Sequence, residues 1–136
     1  MQLQNPPRPS EFPADTLQIL RRLANLTGRY TDRVCAEKDP YTREKNYNNA
    51  LRCIFRIQKT LYETERAIND KEARAQVAKI SDALFDAWYF LADRRLYHDS
   101  NLLGTLAYMA VKSAENFEIY STSFDCILSE IKQRTK

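Results

Sequence analysis

Apolar residues return at helical spacing along nearly the whole chain beyond residue 15. Leu17, Leu20, Leu23, Ala24, Thr27, Tyr30 and Val34 share one face of a first helix, with Asp15 as its predicted N-cap. Pro40, within AEKDPYT, separates it from a second helix. There Tyr47, Ala50, Leu51, Ile54, Phe55, Leu61, Tyr62 and Ile68 fall on one side, with Ile57 at the edge. IND at 68–70 is a short turn. A third helix then presents Ala73, Val77, Ile80, Leu84, Ala87, Trp88 and Leu91. HDSN at 98–101 makes the next break, with Asp99 or Ser100 as cap. From Leu102 to Ile131 the apolar face holds one phase. That predicts either one long helix or a helix broken at 121–123 and resumed. No alternating strand pattern occurs, and the expected fold is all-α: an antiparallel up-and-down four-helix bundle over residues 15–136. MQLQNPPRPSEFP predicts an extended, Pro-rich N-terminal arm over residues 1–14.

One stretch holds more aromatic surface than a single face can bury. On the third helix, with Val77 at zero, Trp88 lies in the apolar arc and Phe85 at its margin. Tyr89 falls near 120°, Tyr97 near 200° and Phe90 near 220°, at about 100° per residue. Trp88 is therefore expected in the core. Phe90 and Tyr97, joined by the off-phase Tyr108, are the expected contact between copies of a homo-oligomer. Singly exposed aromatics are common, so solvated side chains are the competing reading.

Charge refines the picture. The net charge is only +3, but residues 15–36 carry four basic and two acidic side chains, and residues 41–68 carry six against three. Lys45, Arg52, Arg56, Lys59 and Arg66 cluster opposite the apolar face of the second helix, interrupted by Glu63; Arg22, Arg29 and Arg33 do the same on the first. Several cations on a rigid rod suit successive phosphates. A solvated face or an acidic protein partner explains the same pattern. Asp82, Asp86 and Asp93 form the reverse stripe on the third helix, unsupported by any metal-ligand motif, so no metal or cofactor is expected. Basic and acidic rods in one chain also suit contact between copies. Gln58 and Glu65 interrupt the second apolar face, Arg95 falls in phase with the third, and a Glu65–Arg95 pair is expected.

No catalytic set assembles: His98 is the only histidine, and glycine-rich phosphate loops are absent. Cys35, Cys53 and Cys126 are expected as small buried residues in a reducing cytoplasm. No apolar run approaches the roughly 20 residues that span a bilayer.

The segments REKNYNNALRCIFRIQKTLYE, ISDALFDAWYFLADRRLY and HDSNLLGTLAYM resemble the bacterial four helix bundle protein superfamily. That group includes ribosomal RNA intervening-sequence proteins and accessory variability determinants of diversity-generating retroelements. The resemblance covers residues 43–123. A glycine–tryptophan motif expected late in the last helix is replaced by ENFEIYSTSF. The resemblance implies a homopentamer that binds structured RNA and docks a reverse transcriptase, with Lys45, Arg52, Arg56, Lys59 and Arg66 at the RNA. The competing expectation is a protein–protein adaptor of phage or mobile-element origin that binds no nucleic acid.

Overall fold

The computed structural model describes residues 13–116 and 121–134. Within them the chain is helical and contains no strand: α1 (Ala14–Ala36), α2 (Pro40–Thr64), a 3-10 turn (Glu65–Ala67), α3 (Lys71–Arg94), α4 (Asn101–Asn116) and α5 (Ser121–Arg134). Of the expected arm over residues 1–14, residues 1–12 lie outside the described residues and Ala14 already opens α1; residues 117–120, where Phe117 and Tyr120 continue the last apolar face, also lie outside them.

Local chemistry sets most boundaries. Asp39 caps α2, its carboxylate accepting from the Thr42 amide and hydroxyl at 2.9 and 2.7 Å, while Pro40 supplies a preset first turn. The Thr42 hydroxyl, then its amide, holds the Asp39 carboxyl below the ordinary carboxylate range. Asp70 caps α3 through Glu72. Asp15, the expected first cap, instead lies inside the first turn of α1, which follows Pro13 without a side-chain cap. Ser100 stands immediately before α4, its carbonyl accepting from the Leu103 amide, while its buried hydroxyl reaches the Thr31 carbonyl and Cys35 Sγ on α1.

The core joins Leu20 and Val34 of α1 to Tyr47, Ile54 and Leu61 of α2, Val77, Leu84 and Leu91 of α3, and Leu103, Leu106 and Ala110 of α4. Phe124 and Ile131 of α5 are buried with them. α1 packs against α2 and α4, α2 also against α3, and α5 against α4. As numbers rise along α1 they fall along its partner α4, since Arg21 pairs with Glu115 and Cys35 with Ser100. The same holds for α2 and α3, through Tyr47 with Leu91 and Gln58 with Ser81. Gly104 makes the α1–α4 approach close: a Cβ there would stand 3.2 Å from Gly28 Cα and 3.1 Å from Thr31 Oγ1.

The long final helix is not one rod. In a straight helix Asn101 and Arg134 would stand about 50 Å apart. Arg134 instead lies 3.4 Å from Asp99, so α5 returns to the α3–α4 link.

Several side-chain placements differ from expectation. Trp88 is half-buried at the α2–α3 edge, against Phe55 and Phe85 at centroid distances of 5.1 and 6.1 Å. Tyr62 is exposed and Ile57 fully buried. Cys53 is buried, whereas Cys35 and Cys126 are exposed. Arg95 pairs with Glu44 rather than Glu65, because α3 ends at Arg94 and Arg95 turns left-handed (φ 54°), which takes it out of the helical phase.

Candidate nucleic-acid interface

All eight predicted cations, Arg22, Arg29, Arg33, Lys45, Arg52, Arg56, Lys59 and Arg66, are exposed. None forms an ion pair with another described residue. This follows from helix geometry: Leu20, Leu23, Thr27 and Val34 turn one side of α1 inward, and Tyr47, Ile54 and Leu61 one side of α2. The residues about 180° away must face out. Arg66 stands apart, because the 3-10 turn breaks the α2 phase before it.

The two rows are neighbours. An open groove of about 570 Å³ lies where α1 ends and α2 begins, lined by Tyr30, Arg33, Lys45, Asn46 and Asn49 among others. Arg33 stacks over the Tyr30 ring at 5.7 Å. Asn46, which also lines the groove, donates to the Thr42 carbonyl at 3.0 Å. Asp15 and Glu63 are the acidic residues sharing the outward arcs, and both lie at the opposite end from this groove. At the groove itself Arg33 and Lys45 share the lining with Glu37, whose carboxylate accepts from the Lys38 and Asp39 amides, so cations outnumber acids there two to one. Cations spread in rows along two helices suit a row of anions rather than a single one.

The expected contact residues between copies are placed differently. Phe90 and Tyr97 are half-buried against the chain's own core. Tyr97 meets Tyr47 edge-on at 5.0 Å beneath Arg43, and Arg94 covers Phe90. Tyr108 is exposed, as expected for a surface residue. On α3 the aromatic side chains left to solvent are instead Phe85, 44% exposed, and Tyr89, 69% exposed. A helical wheel has no term for which neighbour covers a residue, so it could not make this exchange.

The remaining candidate chemistry is sparse. Gln58, which the sequence places among apolar residues, is satisfied by Ser81 at 3.1 Å. His98 is exposed in the α3–α4 link. Asp82, Asp86 and Asp93 are exposed, and no group of three or more His, Cys, Asp or Glu among the described residues is placed to hold a metal ion. No helix among them is long and apolar enough to cross a membrane. No family model, curated protein or solved structure matches this chain.

Proposed function

We propose that this chain is a non-enzymatic protein whose α1–α2 face binds structured RNA through phosphates and riboses. The observation that carries the reading is the double row of exposed cations free of ion pairs. In the same reading α1 to α4 form an antiparallel up-and-down bundle with α5 laid on α4, so the two rows share one rigid face. From Lys45 to Lys59 the α2 row spans about 21 Å, enough for several phosphates. A helix does not enter the narrow major groove of duplex RNA, so contacts go to the backbone with little sequence readout. A reverse transcriptase as protein partner and a pentameric assembly belong to this proposal through the sequence resemblance alone.

The test is fluorescence anisotropy with a labelled RNA hairpin across a salt series. Arg22→Gln with Arg29→Gln, and separately Arg56→Glu with Lys59→Glu, should weaken binding to all hairpin sequences alike. Each pair should flatten the salt slope by about two. Charge reversal at Lys71 and Lys132, away from this face, should do less. If both face variants bind as tightly as the parent near physiological salt, RNA is not the ligand.

A further inference from the structure

Tyr47 and Gln58 fix the register of α2 against α3, through the Leu91 carbonyl at 2.9 Å and the Ser81 hydroxyl at 3.1 Å. By the Gln58 contact Arg56 stands level with Ala83 and Arg52 with Ala87, and by the Tyr47 contact Lys45 stands level with Asp93. The α3 carboxylates Asp82, Asp86 and Asp93 are thus each within one residue of a cation, about 1.5 Å along the axis. The spacings are mirrored. The cations lie seven and then four residues apart; the carboxylates lie four and then seven apart. All six side chains are exposed, and none is ion-paired within the described chain.

Between the two rows runs the aromatic seam. Phe55 and Trp88 pack at 5.1 Å across it, Phe85 lies beside Trp88, and Phe85 and Tyr89 are left to solvent. The face thus has an aromatic centre, a basic rim on the α2 side and an acidic rim on the α3 side at matching heights.

We propose that this face docks a second copy of the chain about a two-fold axis lying along the α2–α3 seam. Rotation about that axis keeps each residue at its height and exchanges the two sides. Arg56, Arg52 and Lys45 of one copy then oppose Asp82, Asp86 and Asp93 of the other, and the converse set forms at once. A two-fold axis across the seam would instead set like charge on like, so the charge pattern selects the first arrangement. Phe85, Trp88 and Tyr89 of both copies meet near the axis, an apolar centre inside a charged rim. The rim pairs choose the register and orientation more than they add affinity. This proposal does not depend on the RNA reading, and it sets a two-fold dimer in place of the pentamer that the sequence resemblance implies.

The test is sedimentation velocity on the full chain at tens of micromolar and low salt, where the parent should be a dimer. Arg52→Asp with Arg56→Asp sets acid against acid; Asp82→Arg with Asp86→Arg sets base against base. Each variant alone should raise the dimer dissociation constant by about tenfold or more, and salt should narrow the gap. An equimolar mixture of the two variants restores opposite charges on both rims and should dimerise like the parent. Should either variant lose helix by circular dichroism, Tyr89→Ser at the exposed seam is read instead, with loss of the dimer expected. A monomeric parent overturns the proposal. So does a variant that dimerises alone as tightly as the parent, a folded mixture that stays monomeric, or a Tyr89→Ser dimer of parental affinity.

Discussion

Replacing Tyr47 with Phe tests how α3 is terminated and held to α2. The Tyr47 ring is fully buried; its hydroxyl donates to the Leu91 carbonyl at 2.9 Å and accepts from the Leu96 amide at 2.8 Å. Tyr47→Phe keeps the ring, including its edge contact with Tyr97, and removes only the oxygen. The Leu91 carbonyl still receives the Arg95 amide, so it is not orphaned. The Leu96 amide is buried with no substitute, and an unsatisfied buried donor costs about 1–3 kcal/mol. The expected loss is about 2 kcal/mol, or roughly 5–8 °C in Tm for a chain of this size. Alkaline pH supplies a second readout. Burial pushes the Tyr47 phenol up to about 12, against a smaller lowering by the Leu96 bond. The folded state therefore favours the protonated phenol. Its contribution is complete below the unfolded pKa near 10 and is lost as pH rises from there through 12, a change of about 3 kcal/mol. Urea denaturation from pH 8 to 11.5 should show this decline in the parent and a shallower one in Tyr47→Phe. Equal stability at pH 8, or parallel slopes, would refute the assigned bonding.

Two further outcomes concern packing and thiols. Gly28→Ala meets nothing within 4 Å and should stabilise α1 by about 0.5–1 kcal/mol, whereas Gly104→Ala presses on Gly28 and Thr31. Thermal melts should therefore place Gly104→Ala below Gly28→Ala by about 1–2 kcal/mol. Under native conditions iodoacetamide should modify the exposed Cys35 and Cys126 well before the buried Cys53, whose thiol burial raises in pKa; mass spectrometry of timed samples reads the order.

The inward faces were legible in the sequence, because Leu20, Ile54, Leu84 and Leu106 lie at helical spacing and are all fully buried. So were the basic rows, since a residue opposite a buried face has only solvent to meet. What a single-helix wheel cannot hold is the relation between helices. The apolar phase continues from Leu102 to Ile131, yet Arg134 returns to Asp99, because periodicity records which side is buried and not where the chain reverses. Phe90 and Tyr97 look outward on an isolated α3, but Arg94 and Arg43 cover them, while Trp88 sits at an edge that α2 only half closes. Arg95 left the expected core phase through one left-handed residue. The mirrored charge spacing was printed in the sequence all along. Its meaning depends on the Tyr47 and Gln58 contacts that fix which residues stand level.

The two readings of the basic row now bear on each other. A row of carboxylates and a row of phosphates are alternative partners for Lys45, Arg52 and Arg56, and both cannot occupy the same outward arc. An assembly that left the basic rows outward would multiply the basic surface. A dimer closed along the α2–α3 seam would instead withdraw three cations per chain and leave Arg22, Arg29 and Arg33 on α1. Binding of RNA to those three α2 cations would then require the monomer, and its apparent dissociation constant would rise by the inverse of the monomer fraction. Tyr89→Ser separates the two effects, since it weakens the seam and touches no cation. Where about a tenth of the parent is monomeric, Tyr89→Ser should bind an RNA hairpin up to about tenfold more tightly than the parent. Light scattering should show excess hairpin driving the parent from dimer toward monomer. If the hairpin-bound parent remains a dimer and Tyr89→Ser gains nothing, phosphate and carboxylate do not compete. The α1 row would then be left as the RNA contact, with the seam free to serve assembly.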